Sequence, residues 1–269
     1  MTMKTLLIGA VAYDAKVVPI WEGMREHFKE AGVDMDFALF SNYERQALSL
    51  LQGHIDIAWN TPLAHVQVQR SSEGRTRSLG MRDTDRDFRS KVIAKDSVKS
   101  LKDLEGRRLA VGSRDSVQAR ILPLHWLKEQ GVDLSRVEIV AFDSDIGKHG
   151  DTGKSEYEVL ECLEKGAADA GIVGDLVWTQ ELAAGRVAGR GIQVLATTEP
   201  FDHCMFDARP GLETERTEAF QRALFDMDWD NPKHRRILEM EGLRKWLPAR
   251  EEGYVKLISA LNEQNAWAK

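Results

Sequence analysis

The sequence has little cysteine and no long apolar run. Only two cysteines, Cys162 and Cys204, occur among 269 residues, and no CxxC pair is present to indicate a zinc or redox motif. Nothing in their spacing demands a disulfide bond. No stretch reaches the roughly 18 apolar residues that a membrane-spanning helix requires. These absences predict a protein with no metal site, no cofactor and no segment inserted into a membrane.

Neither charge sign dominates the composition. Lysine and arginine together number 37, aspartate and glutamate 43, and the formal net charge is -6. Nucleic acids and anionic membranes attract strongly basic proteins, so this balance argues against both as partners. It does not argue against a small anion, because the potential inside a pocket is set by the nearest groups. With 42% hydrophobic and 30% charged residues, the composition is typical of soluble globular proteins.

The N-terminal segment MTMKTLLIGAVAYDAK has no convincing signal-peptide pattern. Its apolar run ends at Tyr13-Asp14 without the small residues of a cleavage site, so we predict a first β-strand there. The compartment then depends on the native start. The protein is cytoplasmic if Met1 is the first residue, and periplasmic or extracellular if a leader has been removed.

Short apolar runs alternate with amphipathic helical stretches along the chain. TLLIGAV and MDFALF are typical of strands, and VVPIWEGMREHFKEAG between them has apolar residues at helical spacing. This alternation predicts βαβ units and a mainly parallel sheet. Two later segments, YERQALSLLQGHIDIAWNT and SEYEVLECLEKGAADAGIVGD, share one order of helix, glycine and short strand. Their similarity predicts two similar α/β lobes.

No low-complexity linker separates the two predicted lobes, so we expect crossing strands to join them. The crossings are predicted near Arg89–Lys95 and near Thr197–Phe206. Lobe 1 then comprises residues 1–90 and 203–269, including the helical C-terminal tail, and lobe 2 comprises residues 91–202.

The glycine-rich segment GKHGDTGKS, residues 147–155, lies between a predicted strand and a predicted helix. A phosphate-binding P-loop needs four residues between its first glycine and the Gly-Lys-Ser/Thr. Gly147 lies one residue too far upstream, and four further residues separate the segment from the strand. We therefore predict a site for an anion or a polar ligand rather than a nucleotide-hydrolysing loop.

Four segments in a fixed order resemble the phosphate/phosphonate type of ABC-transporter substrate-binding proteins. They are SVKSLKDLEGRRLAVGS, LPLHWLKEQGVDLSRVEIV, LEKGAADAGIV and LRKWLPAREEGYVKL, and the resemblance extends from about residue 5 to residue 262. It implies an α/β fold of the type 2 periplasmic-binding-protein class, whose two lobes close on a ligand like a trap. Each lobe would be a mostly parallel sheet flanked by helices, and two crossing strands would join the lobes.

The function that this resemblance implies is that of a solute-binding protein for ABC-type uptake. The ligand would be a small polar molecule clamped between the lobes, either anionic or zwitterionic, such as a phosphonate, a phosphate or a carboxylate. The implied protein partner is an ABC permease. The implied oligomeric state is a monomer, although the C-terminal helical tail could mediate a weak dimer.

Carried over residue by residue, the resemblance places the lobe 1 contacts after two strands. The loop after the first strand would contribute Tyr13, and the tip after IDIAW would contribute Trp59, Asn60 and Thr61. An aromatic ring at this tip could also enclose a cationic or planar ligand.

The helix opening GSRDSVQARILP would supply contacts from lobe 2. Ser116 keeps the family pattern, but Val-Gln-Ala follows it where the family has Thr-Ser-Gly, so two hydroxyl donors are lost. Ser113, Arg114 and Gln118 are the further candidates in this opening. Side chains with several N–H donors could compensate, since they bind carboxylates and phosphates well.

The glycine-rich segment and the strand AGIVG supply the remaining lobe 2 candidates. His149 best matches the histidine that the family carries before a helix. Asp151 could accept from a ligand amine or could cap the helix, and Thr152 is a weaker candidate. Asp175 has the same two alternatives, a ligand contact or a helix cap.

The segment FDHCMFDARPG combines His203 and Cys204 near a predicted crossing. We expect one of the pair to line the cleft, and His203 is the candidate. Neighbouring side chains of an extended chain point to opposite faces. His203 and Cys204 are therefore predicted not to act together as base and nucleophile.

Two other functions stay open at this point. Some proteins of the same fold are cytoplasmic enzymes, as in thiamine-pyrimidine and menaquinone-precursor synthesis. A lyase or cofactor-pathway enzyme of this kind would use His149, Asp151, His203 or Cys204 for proton transfer. An intracellular ligand sensor is the third alternative. No motif indicates a particular reaction, so we predict no catalytic residue.

Overall fold

The computed structural model describes residues 4–187 and 191–267. The chain divides into two compact units. Unit 1 comprises Met1–Asp87 and Asp202–Tyr254, and unit 2 comprises Phe88–Phe201 and Val255–Lys269. The start at Met1 and the last two residues of the predicted C-terminal tail lie outside the described residues.

Strands and helices alternate along most of the chain, as the sequence pattern predicts. The strands are β1 (Leu6–Val11), β2 (Met35–Phe40), β3 (Ile57–Asn60), β4 (Arg77–Arg82), β5 (Ser90–Lys95), β6 (Arg108–Val111), β7 (Glu138–Ala141), β8 (Ala170–Gly174), β9 (Ile192–Thr197), β10 (Met205–Ala208) and β11 (Trp246–Pro248). The helices are α1 (Val17–Glu30), α2 (Tyr43–Leu51), α3 (Pro62–Ser71), α4 (Leu122–Glu129), α5 (Lys154–Glu164), α6 (Asp175–Ala183), α7 (Thr214–Phe225), α8 (Pro232–Glu241) and α9 (Val255–Gln264).

Unit 1 is built on a six-stranded sheet with the order β11-β4-β10-β3-β1-β2. Helix α1 covers it with an apolar face formed by Ile20, Trp21, Met24 and Phe28, all buried. These positions are spaced by one, three and four residues, so they fall on one side of a helix with 3.6 residues per turn. They pack together with apolar residues of β10 and α7 in one core.

Unit 2 is built on a five-stranded sheet with the order β7-β6-β8-β5-β9. Successive side chains of its strands enter two different cores. Leu109 and Val111 of β6 belong to one core, and Ala110 between them belongs to the other. Because side chains alternate across a strand, the two cores lie on opposite faces of the sheet. Helix α5 covers one of these faces with Val159, Leu160 and Leu163.

Both sheets are mixed, whereas the sequence pattern predicted mostly parallel sheets. The parallel pairs are β1 with β2 and β3, and β6 with β7 and β8. Antiparallel pairs join β10 to β3 and β4, β5 to β8 and β9, and β11 to β4. Strands β5 and β10 each come first after the chain changes unit, and each runs against both of its neighbours. A βαβ pattern read along the chain gives no information about the direction of such a strand.

The chain passes between the units after Asp87, after Phe201 and after Tyr254. The first crossing precedes the predicted range Arg89–Lys95, and the second lies inside Thr197–Phe206. The third crossing was not predicted, since the sequence prediction gave the whole C-terminal tail to lobe 1.

Helix α9 groups with unit 2 because its contacts are there. The Lys256 ammonium lies 3.0 Å from Glu129 Oε1 of α4, and Gln264 Nε2 donates to the Ile121 carbonyl at 2.9 Å. Its apolar face is buried through Leu257, Ala260 and Leu261. Helical periodicity predicts that such a face exists, but it does not say which unit the face covers. Within 4–187 and 191–267, no helix combines the length and apolar character needed to cross a bilayer.

Candidate ligand site

Three parallel strands of unit 2 end in polar segments at one edge of the sheet. Strand β6 leads through residues 112–116 into a π-helical turn, Val117–Ile121, and then into α4. Strand β7 leads through a loop, residues 142–153, into α5, and β8 leads directly into α6. The carboxyl ends of parallel strands are where open α/β sheets bind their ligands. Every predicted lobe 2 contact lies on one of these three connections.

Ser116 caps the π-helical turn and is fully buried. Its Oγ accepts from the Ala119 backbone N–H at 3.2 Å. Gln118 is the second residue of the turn and is 4% exposed. Its backbone carbonyl accepts from Ser90 Oγ of β5 at 2.6 Å. The opening that departs most from the family pattern is therefore buried and hydrogen-bonded within unit 2.

Gly150 brings the loop after β7 into contact with this turn. A Cβ atom at Gly150 would lie 2.5 Å from Gln118 Nε2 and 2.6 Å from Ser116 Oγ, closer than any Cβ approaches a polar atom. Its φ of +87° also favours glycine. His149, directly before it, has a φ of +53° and is buried. Thus Ser116 and Gln118, two of the predicted contacts, meet the loop at Gly150, and His149, a third, is the residue before it in the chain.

A buried carboxylate that the sequence analysis missed, Asp145, organises the same loop. Its Oδ1 accepts from Ser113 Oγ, and its Oδ2 accepts from Thr152 Oγ1 and Ser155 Oγ at 3.2 Å each. Ser155 N–H, in the first turn of α5, also donates to Oδ2 at 3.4 Å. The hydroxyls of Ser113 and Thr152, predicted to meet a ligand, are thus engaged with a side chain of the protein itself. The spacing of Ser113, Thr152 and Ser155 in the sequence does not reveal that their hydroxyl groups all bind Asp145.

A second missed carboxylate, Asp115, fastens the start of the loop to the turn. Its Oδ2 accepts from the Gly147 N–H at 2.5 Å. Burial raises the pKa of Asp115, against the opposing effects of His149 and of the Gly147 N–H. Asp115, with its raised pKa, therefore lies close enough to His149 for the two groups to interact.

Charged groups at the rim of this edge have both signs. Arg114 is exposed, and its backbone N–H donates to Asp143 Oδ1 at 2.9 Å. Asp151 is half-buried beside Lys148; burial lowers the pKa of Lys148, and the charge of Asp151 opposes that shift. Asp175, in contrast, has partners on and next to β5. Its carboxylate pairs with Lys91 Nζ at 2.8 Å and accepts from the Arg89 N–H at 3.1 Å.

In unit 1, the predicted contacts at the end of β3 are packed inside. Trp59 is 6% exposed and packs on Phe206 and Trp246, with ring centroids 4.5 Å and 5.5 Å away. Asn60 is fully buried, accepts from Gln46 Nε2 and donates to Asp207 Oδ2 at 2.8 Å. The structure therefore places these two side chains within the core and its polar network.

Thr61 and Tyr13 occupy different environments in unit 1. Thr61 caps α3, with its Oγ1 accepting from the Ala64 N–H at 3.3 Å, and is fully buried. Tyr13 is half-buried after β1 and packs against the core. The Lys16 ammonium lies 5.8 Å from the centre of its ring. Of the predicted unit 1 residues, Tyr13 is the most accessible.

The polar network around Asn60 and Asp207 contains an ion pair that the sequence analysis did not identify. His65 Nδ1 lies 2.9 Å from Asp207 Oδ1, and His65 Nε2 lies 3.3 Å from Glu251 Oε2. Burial lowers the pKa of His65, but attraction to Asp207 and hydrogen bonds to Asp207 and Glu251 outweigh it and raise the pKa to about 9. His65 therefore carries a charge at neutral pH and joins helix α3 to strand β10 through Asp207.

The comparison with protein families identifies the chain. Residues 10–254 match the model of a family described as ABC transporter, phosphonate, periplasmic substrate-binding protein. The chain belongs to this family. The resemblance noted in the sequence is thereby confirmed, and so is its implied function as a solute-binding protein for ABC-type uptake.

Relatives of this substrate-binding protein agree with the assignment. The probable ABC transporter phosphite binding protein PhnD1 of Prochlorococcus marinus (strain MIT 9301) is 22% identical over 242 residues, 86% of this chain and 78% of the relative. The structure of PhnD1 from the same organism, in complex with methylphosphonate, has a TM-score of 0.76 at 20% identity and covers 97% of this chain and 98% of that one.

Two further structures share the fold. XAC2383 from Xanthomonas citri, bound to ATP, has a TM-score of 0.76 at 16% identity and covers 99% of this chain and 100% of that one. The periplasmic aliphatic sulphonate binding protein SsuA from Escherichia coli has a TM-score of 0.67 at 14% identity, with 99% and 94% covered. These likenesses confirm the predicted α/β, two-lobed fold of the type 2 periplasmic-binding-protein class.

The pair considered for enzyme chemistry, His203 and Cys204, has a geometry that the sequence prediction had wrong. His203 Nδ1 lies 3.1 Å from Cys204 Sγ, and both residues precede β10 and belong to no strand. Asp85 Oδ1 lies 3.4 Å from the same nitrogen. A relay from carboxylate through imidazole to thiol needs two different ring nitrogens, so this arrangement is unsuited to it.

Asp85 is held by a stronger partner than His203. Arg82 donates to both of its oxygens at 2.7 Å. Burial raises the pKa of Asp85, but Arg82 and His203 outweigh this and lower it to about 2. Asp85, His203 and Cys204 are all buried. The family assignment favours uptake over the enzyme and sensor alternatives, and these contacts give the buried trio a structural part in unit 1.

Proposed function

We propose that this protein binds a small tetrahedral oxyanion of the phosphonate or phosphite class at the edge of the unit 2 sheet. The observation that carries the proposal is the contact of Gly150 with Ser116 and Gln118, with His149 next in the chain. A hydroxyl and an amide are thereby brought together, an imidazole follows on the same loop, and each of these groups can donate to an oxyanion. Support for the ligand class comes from the family and from the relatives whose names refer to phosphite and methylphosphonate.

The protonation state of the ligand follows from the carboxylates at this edge. Asp115 and Asp145 are buried or half-buried beside the proposed donors. A dianion there would meet like charges, whereas a ligand oxygen that still carries a proton can donate it to a carboxylate. We therefore propose a preference for a monoanion, or for a zwitterion whose amino group pairs with Asp151, over a dianion.

Isothermal titration with a panel of oxyanions tests the ligand class. The panel contains phosphite, methylphosphonate, 2-aminoethylphosphonate, phosphate, methanesulfonate and acetate. A ligand present at about 100 times its dissociation constant should stabilise the protein by roughly 2.7 kcal/mol, which a thermal-shift screen detects first. Binding of acetate alone, or of none of the panel, would remove the proposal.

Two substitutions test the site. Ser116→Ala and His149→Ala should each weaken binding by about tenfold to hundredfold, because a hydrogen bond to a charged group contributes roughly 1.5–3 kcal/mol. Ser135→Ala and His54→Ala change the same residue types at exposed positions and should leave affinity unchanged. If both test variants bind as tightly as the unaltered protein, the ligand lies elsewhere.

Transport also requires a partner, and we propose delivery of the bound ligand to an ABC permease by a monomeric protein. Tyr13, the accessible member of the unit 1 candidates, is proposed as a further ligand contact, and Tyr13→Phe tests its hydroxyl. Light scattering at increasing concentration tests the monomer. Ligand-dependent stimulation of ATP hydrolysis by a reconstituted permease complex tests delivery, and equal stimulation without ligand would contradict it.

A further inference from the structure

A buried carboxyl group, Glu156, lies against the proposed ligand donor Gln118. Glu156 is in the first turn of α5 and is 2% exposed. Its Oε2 accepts from the Gly174 N–H of β8 at 2.6 Å. Its Oε1 accepts from Gln118 Nε2 at 3.2 Å. One carboxylate oxygen thus binds the backbone, and the other binds the Gln118 amide.

The amide of Gln118 is only half satisfied in this arrangement. Among the residues that the structure describes, no donor reaches Gln118 Oε1, although that atom is buried. The two ends of a glutamine amide have nearly the same shape, so a half-turn exchanges them without repacking. An ionised Glu156 can only accept, and it therefore requires the NH2 end. A protonated Glu156 can donate, and it can then bind the oxygen end instead.

We propose that Glu156 is a positioning residue that decides which end of the Gln118 amide is presented to the ligand. When Glu156 carries a proton on Oε1, its O–H donates to Gln118 Oε1, and the NH2 group takes the place of the unsatisfied oxygen. An oxyanion then finds a donor where an acceptor stood. When Glu156 is ionised, it holds one N–H of that group, and Gln118 Oε1 remains an acceptor. Binding of the anion is therefore coupled to the uptake of one proton by Glu156. This inference rests on the proposed function.

The surroundings of Glu156 make both protonation states accessible. Burial raises the pKa of Glu156 to about 7, the Gly174 N–H and the Gln118 amide oppose that shift, and Asp145 and Asp151 add to it. The loop thus presents two carboxylates to Glu156, while the π-helical turn and β8 present neutral groups. Tyr157, on the same helix, feels the charge of Glu156, which contributes to raising its own pKa.

The coupling has a definite sign. If only the protonated form offers the donor, affinity falls by up to tenfold for each pH unit above the pKa of Glu156, and the bound anion raises that pKa in return. The ligand's own ionisation also changes with pH. A comparison of two protein variants with the same ligand removes that contribution.

The test is titration calorimetry with methylphosphonate, and with phosphite as a second probe, from pH 6 to pH 8.5. Each titration is done in two buffers of different ionisation enthalpy, so that proton uptake is measured directly. Glu156→Gln keeps an acceptor for the Gly174 N–H and a permanent donor for Gln118 Oε1. It should bind at least tenfold more tightly than the unaltered protein at pH 8.5, and should take up close to one proton fewer near pH 8. Glu161→Gln, an exposed change on the same helix, should behave like the unaltered protein.

A second variant keeps the inference testable if Glu156→Gln does not fold. Gln118→Met has a similar volume but neither donor nor acceptor, so it should bind more weakly and should also lose the proton uptake. Equal proton uptake by the unaltered protein and by the folded variants would overturn the role of Glu156 and leave the proposed ligand intact. Absence of oxyanion binding at every pH would instead overturn the proposed function, and this inference with it.

Discussion

Replacement of Gly150 by alanine tests the loop contact on which the proposed site depends. The new Cβ would lie 2.5 Å from Gln118 Nε2 and 2.6 Å from Ser116 Oγ, so both side chains or the loop must shift. The backbone adds a separate effect, because a φ of +87° in a residue with a Cβ costs about 1–2 kcal/mol. We expect a loss of oxyanion affinity of tenfold or more, together with a loss of stability.

Gly131→Ala is the matched control. Gly131 has a φ of +83°, and a Cβ there would meet nothing within 4 Å. It should therefore show the backbone effect alone, a loss of about 1–2 kcal/mol, seen as roughly 2–8 °C in the unfolding temperature. Titration calorimetry with methylphosphonate gives the affinities, and urea unfolding gives the stabilities. If Gly150→Ala binds the anion as tightly as Gly131→Ala, the contact is structural and the site assignment is wrong.

Three further predictions concern carboxylates and a histidine. The charged form of His65 stabilises the fold by on the order of 3 kcal/mol below pH 6.5, and this contribution should be lost as the pH rises through about 9; urea unfolding between pH 6 and pH 10 checks this, and His65→Gln should flatten the profile. Asp145→Asn removes the charge that collects the loop hydroxyls and should cost about 2 kcal/mol of stability, with faster proteolysis in residues 142–153; an unaltered urea midpoint would contradict it. Asp175→Asn should weaken the pair with Lys91 at a cost of about 1 kcal/mol and leave ligand affinity unchanged, whereas a tenfold loss of affinity would assign Asp175 to the ligand.

Local patterns in the sequence correctly predicted much of the architecture. The α/β class and the family followed from short motifs in a fixed order, and both are confirmed. Ser116 and His149 follow two neighbouring parallel strands, β6 and β7, whose ends share one edge of the sheet. Gly150 belongs to the glycine-rich segment that the sequence predicted as a ligand site, and the structure shows that Ser116 and Gln118 lie against it.

Long-range pairings could not be predicted in the same way. Asn60 and Trp59 looked like an exposed polar tip, but their partners Asp207 and Phe206 lie about 150 residues later in the chain. Ser113 and Thr152 looked available to a ligand until Asp145 was found between them. Sequence spacing carries no information about which distant group satisfies a buried donor, although burial demands that some group does.

The sequence by itself determined the alternation of strands and helices, the positions of the turns and the membership of the family, because these depend on periodicity and on residues close together in the chain. Tertiary structure alone decided the direction of β5 and β10, the unit that α9 joins, and the contact between Glu156 and Gln118. Each of these depends on which surfaces and polar groups meet after the chain has folded back on itself, and that is settled by burial and hydrogen bonding over the whole unit.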